Sequence, residues 1–197
     1  MSKKQAKNTW YPLDNAGVLY SAIQKDRYSA IYRFSAVMTE PVNPPLLQRA
    51  VEKTMPRFPG FAVRMRRGAF WCYFEPNPNP GPFVKQDMVN PCQPVRFRED
   101  NEWLIRIFYY EHRISLEVFH AISDGAGTLV FFRTLLAVYL RELGYAIPIG
   151  PGILDITQPP RKEELEDAYA KYAGQRILRD KLEKTAFPNT SQPEPFY

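Results

Sequence analysis

Cysteine and histidine, the residues on which disulfide frameworks and most structural zinc sites depend, are scarce in this sequence. The 197 residues include two cysteines, Cys72 and Cys92, and two histidines, His112 and His120. This set is too small for a disulfide framework, and it argues against a structural zinc site. We therefore expect no bound metal.

Long apolar runs are also missing. No stretch approaches the roughly eighteen consecutive apolar residues that a membrane-spanning helix needs. The first ten residues, MSKKQAKNTW, are polar and lysine-rich, and no apolar stretch follows them. This pattern argues against a secretory signal peptide. We therefore expect a cytoplasmic location and no transmembrane segment.

The sequence lacks the short motifs of two common catalytic sites. No serine lies in a Gly-x-Ser-x-Gly nucleophile elbow. No glycine-rich loop of the phosphate-binding type is present, since Gly68 and Gly81 occur in segments typical of turns. Hydrolysis by an elbow serine and nucleotide binding by a phosphate loop are therefore not indicated.

Strongly clustered charge is missing as well. The net charge is +5, and the densest basic run is Arg64, Arg66 and Arg67. Alternation with the apolar Val63 and Met65 favours a strand with one solvated face, with anion binding as the less favoured interpretation. Basic and aromatic residues are not interleaved as in single-strand nucleic-acid binders, so we expect no nucleic-acid partner.

What the sequence does contain is typical of a folded domain. Hydrophobic residues make up 45% and charged residues 24%, which excludes wholesale disorder. Alternating apolar residues predict strands over 30–38, 103–109 and 114–120, and a β-hairpin over 61–74. Helical spacing predicts one helix from Pro44 to before Pro56, capped by Asn43, and a longer apolar helix ending near Leu143. The expected fold is α/β, with one mixed, largely antiparallel sheet and flanking helices.

Composition changes after residue 150, which predicts two regions. Residues 1–150 would form the main lobe. Residues 151–197 would form a proline-rich linker, a charged amphipathic helix over 159–184 and a poorly ordered tail.

One constellation could carry chemistry, namely His120, Asp124 and Gly125 in the segment HAISDG. The strand period places His120 on the apolar face at the carboxyl end of its strand, where partial desolvation favours a neutral imidazole suited to general-base catalysis. Asp124 would hold the following turn through backbone amides or an arginine, and Gly125 permits a positive φ or a close approach. The alternative, a core histidine followed by a capping aspartate, remains open at this point.

The segment HAISDGAG, between a strand and an apolar helix, resembles the HxxxDG signature of the CoA-dependent acyltransferase superfamily. That superfamily includes chloramphenicol acetyltransferase, BAHD acyltransferases, peptide-synthetase condensation domains and wax-ester synthases. Within it, this sequence is most similar to the alcohol acetyltransferase-like branch. Pro12-Leu13-Asp14, then LLQRAVEKTMPRFPGF and FAVRMRR, occur there in the same order, so the resemblance covers about residues 10–145. Phe119 stands where condensation domains carry a further histidine.

The resemblance implies a chloramphenicol acetyltransferase-like lobe that moves an acyl group from acyl-CoA, a co-substrate, to a small-molecule alcohol or amine. His120 would be the general base, Asp124 would orient the turn, and Gly125 would leave room in the channel. Two-lobed members are much longer and carry HxxxDG at the end of their N-terminal lobe. We therefore expect an N-terminal half completed by a missing C-terminal lobe or by self-association. The alternative is a non-catalytic half-domain that acts as a protein-interaction module.

Overall fold

The computed structural model describes residues 11–12, 29–68, 72–87, 90–96 and 98–160. The predicted helix over 159–184 lies, apart from its first two residues, outside this part, as does the predicted tail. The boundary at residue 150 therefore stays a prediction. The described elements are β1 (Tyr11–Pro12), β2 (Ile31–Val37), α1 (Pro44–Thr54), β3 (Val63–Arg67), β4 (Cys72–Pro76), β5 (Val84–Gln86), β6 (Ile105–Tyr110), β7 (Arg113–Phe119) and α2 (Gly125–Glu142), with short 3-10 turns at Met55–Arg57 and Asp100–Glu102.

The described strands form two sheets. One has the order β2-β7-β6-β5, in which β7 pairs antiparallel with both neighbours and β5 pairs parallel with β6. The other is antiparallel and has the order β1-β4-β3. The predicted fold class is confirmed, but the expectation of one sheet is wrong. Alternation shows which face of a strand is apolar, and it does not show which edge the strand joins.

Helix α1 begins and ends where the sequence predicts. The Asn43 side chain accepts a hydrogen bond from the Leu46 amide at 3.2 Å, and Pro44 supplies the φ of the first turn. The hydroxyl of Tyr139, on α2, accepts a hydrogen bond from the Asn43 amide at 2.8 Å. The start of α1 is therefore fixed to α2 by a buried phenol as well as by its own cap.

Helix α2 is apolar on most of its surface and lies beside α1. It follows Asp124, which serves as its N-cap, and Gly144 at φ +95° follows its C-terminal end. Its buried residues are Thr128, Phe131, Phe132, Thr134, Leu135, Ala137, Val138 and Tyr139. None of the described helices is long and apolar enough to cross a membrane.

The main core lies between the two helices and one face of the four-stranded sheet. The sheet contributes Ile105, Ile107, Ile114, Leu116 and Val118, and the helices contribute Leu47, Ala50, Val51, Phe131, Leu135 and Val138. Leu154 and Ile156, beyond the predicted boundary at residue 150, also contact this core. The Leu154 amide donates to the Thr134 hydroxyl at 3.0 Å. Residues 154–156 therefore cover part of α2.

The opposite face of the four-stranded sheet carries buried charge. Arg33 of β2 lies directly across from Glu117 of β7 and donates to its carboxylate at 2.6 and 2.9 Å. Glu117 is 2% exposed and also pairs with Arg106 at 2.8 Å. Arg33 reaches Asp87 at 2.6 Å as well. An ionic network thus joins β2, β7, β6 and the end of β5.

The basic run on β3 is also paired. Arg64 and Arg66 each contact the carboxylates of Glu75 and Glu102 at 2.6–2.8 Å. The hydrogen bond from Arg66 is the main reason that the pKa of Glu75 lies below its usual range. These two guanidinium groups tie the hairpin to the turn before β6. The predicted strand is therefore present, but its basic face is paired with carboxylates and not simply solvated.

We expect Arg33→Met to lower the free energy of unfolding by about 3 kcal/mol, the lower end for breaking a buried ion pair. The low value is expected because Arg106 still reaches Glu117. Arg96→Met is the matched control, since the Arg96 side chain is 77% exposed in its pair with Glu99, and it should change stability by about 0.5 kcal/mol or less. Urea denaturation measures both variants. Equal midpoints for the two would show that the buried network does not stabilise the sheet.

Acid should weaken the same network. The hydrogen bond from Arg33 is the largest cause that holds the pKa of Asp87 below its ordinary value of 3.8. A depressed carboxyl pKa stabilises the folded state above pH 3.8, and that stabilisation is lost as the pH falls through the lower folded-state value. Asp87→Asn should therefore lose less stability than the wild type over this acid range. A pH series of urea denaturation measures this difference. Urea midpoints that fall by the same amount in both proteins as the pH is lowered would show that Asp87 is not the group responsible.

Candidate functional site

The candidate site is the turn that joins β7 to α2. Strand β7 ends at Phe119, and the backbone amide of His120 then donates to the Ala30 carbonyl at 2.8 Å. This bond extends the β2–β7 ladder by one residue beyond the assigned strands. Because side chains alternate along a strand, His120 lies on the same face as Val118. Its side chain is half-buried at the end of the sheet.

Tyr32 lies beside His120. It pairs with Val118 in the β2–β7 register, and its ring centroid is 4.8 Å from that of the imidazole, with 59° between the planes. Its hydroxyl lies 3.0 Å from the Ser123 carbonyl oxygen and 2.9 Å from that of Asp124. Thr128 Oγ1 is 2.6 Å away. One tyrosine therefore contacts both ends of the turn.

Asp124 holds the start of α2. Its Oδ1 accepts a hydrogen bond from the Gly127 amide at 2.7 Å, and its carbonyl accepts one from the Thr128 amide at 3.1 Å. Of the two partners considered for Asp124, backbone amide or arginine, the structure shows the amide. The carboxylate is exposed, and it is engaged at the amide of the third residue of the helix, as in an N-cap.

The two glycines of the segment differ in their surroundings. Gly125 does not adopt a positive φ, and a Cβ built on it would meet nothing within 4 Å. A Cβ on Gly127 would lie 2.8 Å from Ser123 Oγ and 3.2 Å from Asp124 Oδ1. Gly125 is exposed, and its expected role of leaving room in the channel stays a prediction. The glycine that neighbouring side chains approach closely is Gly127. Gly127 lets the Asp124 carboxylate reach the helix.

A cleft of about 300 Å³ lies beside the turn. Its lining is mainly apolar and aromatic, with one buried arginine, and consists of Arg57, Phe58, Pro59, Gly60, Phe61, Ile122, Ser123, Gly127, Val130, Leu154 and Pro160. Arg57 is 5% exposed, and its Nε donates to the Asp155 carbonyl at 3.3 Å. The segment after α2 therefore forms one wall of this cleft.

The sequence analysis did not find Tyr32, Gly127, Thr128 or the aromatic wall of the cleft. The alternation in β2 did place Tyr32 on the apolar face, and this was the one available signal. The register that sets Tyr32 opposite Val118 links residues far apart in sequence. Periodicity within a single strand does not contain that information.

Alanine at the two glycines should separate their roles. Gly125→Ala should leave stability unchanged or raise it by up to about 1 kcal/mol, because alanine is the better helix former and its Cβ meets open space. Gly127→Ala should lower stability by about 0.5–2 kcal/mol, the usual size of a lost cap, because the new Cβ displaces the Asp124 carboxylate. Thermal unfolding of both variants measures this difference. A Gly127→Ala protein as stable as Gly125→Ala would show that the cap does not need the glycine.

Comparison with known proteins gives the fold and nothing finer. No family model and no curated protein matches the sequence. The starter condensation domain of rhizomide synthetase RzmA matches with a TM-score of 0.61 and 14% identity, over 92% of this chain and 48% of that one. The condensation domain of the Monacolin K polyketide synthase MokA matches with a TM-score of 0.59 and 15% identity, over 95% of this chain and 45% of that one. The X-domain of teicoplanin biosynthesis, solved in complex with OxyB, matches with a TM-score of 0.56 and 15% identity, over 93% of this chain and 41% of that one.

These similarities show a fold of the kind that the resemblance noted in the sequence implies, and membership of the superfamily stays a prediction. The alcohol acetyltransferase-like branch stays a prediction. This chain spans about half the length of the solved structures it matches. Over the part that is described, it has the fold of one portion of a condensation domain.

Proposed function

We propose that this chain is the N-terminal half of an acyltransferase that moves an acyl group from a CoA thioester to an alcohol or amine, with His120 as the general base. The observation that carries the proposal is the position of His120 in a condensation-domain-like fold. The imidazole is half-buried at the end of the sheet, on a turn fixed by an aspartate cap and a tyrosine. A base held in this way is prepared to receive a proton.

In the proposed reaction His120 takes the proton of the acceptor O–H or N–H as that atom attacks the thioester carbonyl carbon. The C–S bond of the tetrahedral intermediate then breaks. The imidazolium returns its proton to the leaving thiolate, which yields the acylated acceptor and free CoA thiol. The imidazole alone carries the proton from the acceptor to the leaving thiolate, so the proposed reaction requires no metal.

Asp124 and Gly125 have supporting roles in this proposal. Asp124 caps α2 and so fixes the turn that carries His120. Gly125 leaves open space at the first residue of α2. The cleft lined by Phe58, Phe61 and Ile122 would take an apolar part of a substrate, since its volume of about 300 Å³ is at the lower end for small-molecule sites.

The rest of the site would come from outside this chain. The matched structures are about twice as long as the part that this chain covers. We therefore propose that a second lobe, or a second copy of this chain, supplies the oxyanion donor that acyl transfer needs. The residues that contact CoA would also lie mainly there. The whole protein would act in the cytoplasm on a small-molecule acceptor.

A second candidate function is a protein-interaction module without catalysis. It is favoured by one specific observation, which is that a domain of similar fold was solved in complex with another protein, OxyB. In that case His120 would be a packed residue at a strand end. The two functions differ in what the loss of the imidazole does.

His120→Ala should lower kcat of the whole natural protein by about 10²–10⁴-fold, the usual contribution of a general base. His112→Ala is the matched control, because His112 is exposed in the turn between β6 and β7, and it should leave kcat unchanged. The assay follows release of the CoA thiol with a panel of alcohol and amine acceptors. Thermal unfolding of both variants shows whether the fold is retained.

Full turnover by His120→Ala would overturn the proposal. If the melting temperature of this variant also fell sharply, His120 would be a core histidine, and the interaction module would be the better assignment.

A further inference from the structure

Tyr32 bridges the two ends of the turn that carries the proposed base. We propose that Tyr32 is the positioning residue of His120, whose ring sets the orientation of the imidazole and whose hydroxyl fixes the turn behind it. The inference rests on the proposed function, in which His120 accepts a proton from the acyl acceptor. It assigns a role to a residue that lies far from the HAISDG segment in sequence.

The sheet itself places the two rings together. Tyr32 pairs with Val118, and His120 follows Val118 by two residues with its amide on the Ala30 carbonyl. The two side chains are therefore diagonal neighbours on one face, a separation that aromatic side chains can bridge. The ring centroids lie 4.8 Å apart. The imidazole consequently has an aromatic surface against one side, which limits its rotation.

Tyr32 is itself held at two points. Its ring packs edge-on against Phe34, with centroids 5.8 Å apart. Its hydroxyl has a consistent hydrogen-bond arrangement in which the Thr128 hydroxyl donates to the phenolic oxygen, at 2.6 Å. The phenolic proton is then available to the carbonyls of Ser123 and Asp124, at 3.0 and 2.9 Å. A ring fixed in this way can orient a neighbour, whereas a freely rotating ring cannot.

The hydroxyl also contacts the residues that determine the geometry of the turn. The Asp124 carbonyl accepts from both the Tyr32 hydroxyl and the Thr128 amide, while the Asp124 carboxylate accepts from the Gly127 amide. Loss of the hydroxyl would therefore loosen the first turn of α2. Loss of the ring would, in addition, remove the aromatic contact that orients the imidazole. These two effects can be separated by two substitutions.

The first experiment uses NMR spectroscopy of the 197-residue chain and needs no turnover. The chain has two histidines, so the exposed His112 is an internal reference for the imidazole Hε1 and Hδ2 signals of His120. Tyr32→Leu should shift both His120 signals toward those of His112, because the ring current of Tyr32 is lost. Tyr32→Phe keeps the ring and should leave the His120 signals at their wild-type positions. Because the hydroxyl is lost, the Gly127 and Thr128 amides should exchange with solvent about tenfold faster or more.

Tyr109→Leu is the matched control. Tyr109 is a half-buried tyrosine that contacts the same core and pairs with Ile114, at the other end of β7 from His120. The same chemical change there should leave the His120 signals in place. Unchanged His120 signals in Tyr32→Leu would overturn the inference. Should Tyr32→Leu fail to fold, unchanged exchange of the Gly127 and Thr128 amides in Tyr32→Phe would overturn it.

The second experiment measures turnover of the whole natural protein. Tyr32→Leu should lower kcat by about tenfold to a hundredfold, the scale of a misplaced catalytic group, with KM changed by about twofold or less. Equal loss in Tyr109→Leu would show a general loss of packing and would overturn the inference. Full activity of His120→Ala would overturn the proposed function, whereas the NMR signals decide the position of the imidazole independently of turnover.

Discussion

The pairing of Arg33 with Glu117 across β2 and β7 is the constraint on which the rest of the structure depends. The two residues lie directly opposite each other on the buried rear face of the four-stranded sheet, with Glu117 2% exposed. A slip of β2 by one residue against β7 would turn Arg33 into the apolar core, leave Glu117 without this partner and turn Tyr32 out of the core. Breaking a buried ion pair is costly, so the pair selects one register strongly, whatever its net contribution to stability.

That single register determines both faces of the sheet at once. On the rear face it brings Arg33 to Glu117, and on the front face it brings Tyr32 to Val118 and so to His120. The strand register that places Tyr32 beside His120 is therefore favoured by an ion pair on the opposite face of the sheet. Helix α1 is connected to helix α2, since the hydroxyl of Tyr139 on α2 accepts a hydrogen bond from the backbone amide of Asn43, the residue that caps α1.

Much of this fold can be predicted from local sequence, because the local signals are strong. The Asn43-Pro44 start of α1, the alternation in β2, β6 and β7, and the Asp124 cap of α2 all follow from chemistry within a few residues. The division of strands between two sheets could not be predicted, because β4 pairs with the distant segment Tyr11–Pro12. For the same reason His120 and Asp124 were found from the sequence, whereas Tyr32 was not.

The spacing of the HAISDG segment has a structural explanation that holds with or without catalysis. His120 must complete the β7 ladder at the Ala30 carbonyl, and Asp124 must reach the amide of Gly127 in the first turn of α2. The three residues between them bring the Ser123 and Asp124 carbonyls back to the Tyr32 hydroxyl. A core histidine with a capping aspartate would need the same spacing. The cleft nearby is lined by Ile122, Ser123 and Gly127 of the same segment. The half-burial of the imidazole is what supports the proposed catalysis, because a purely structural histidine would not need solvent access.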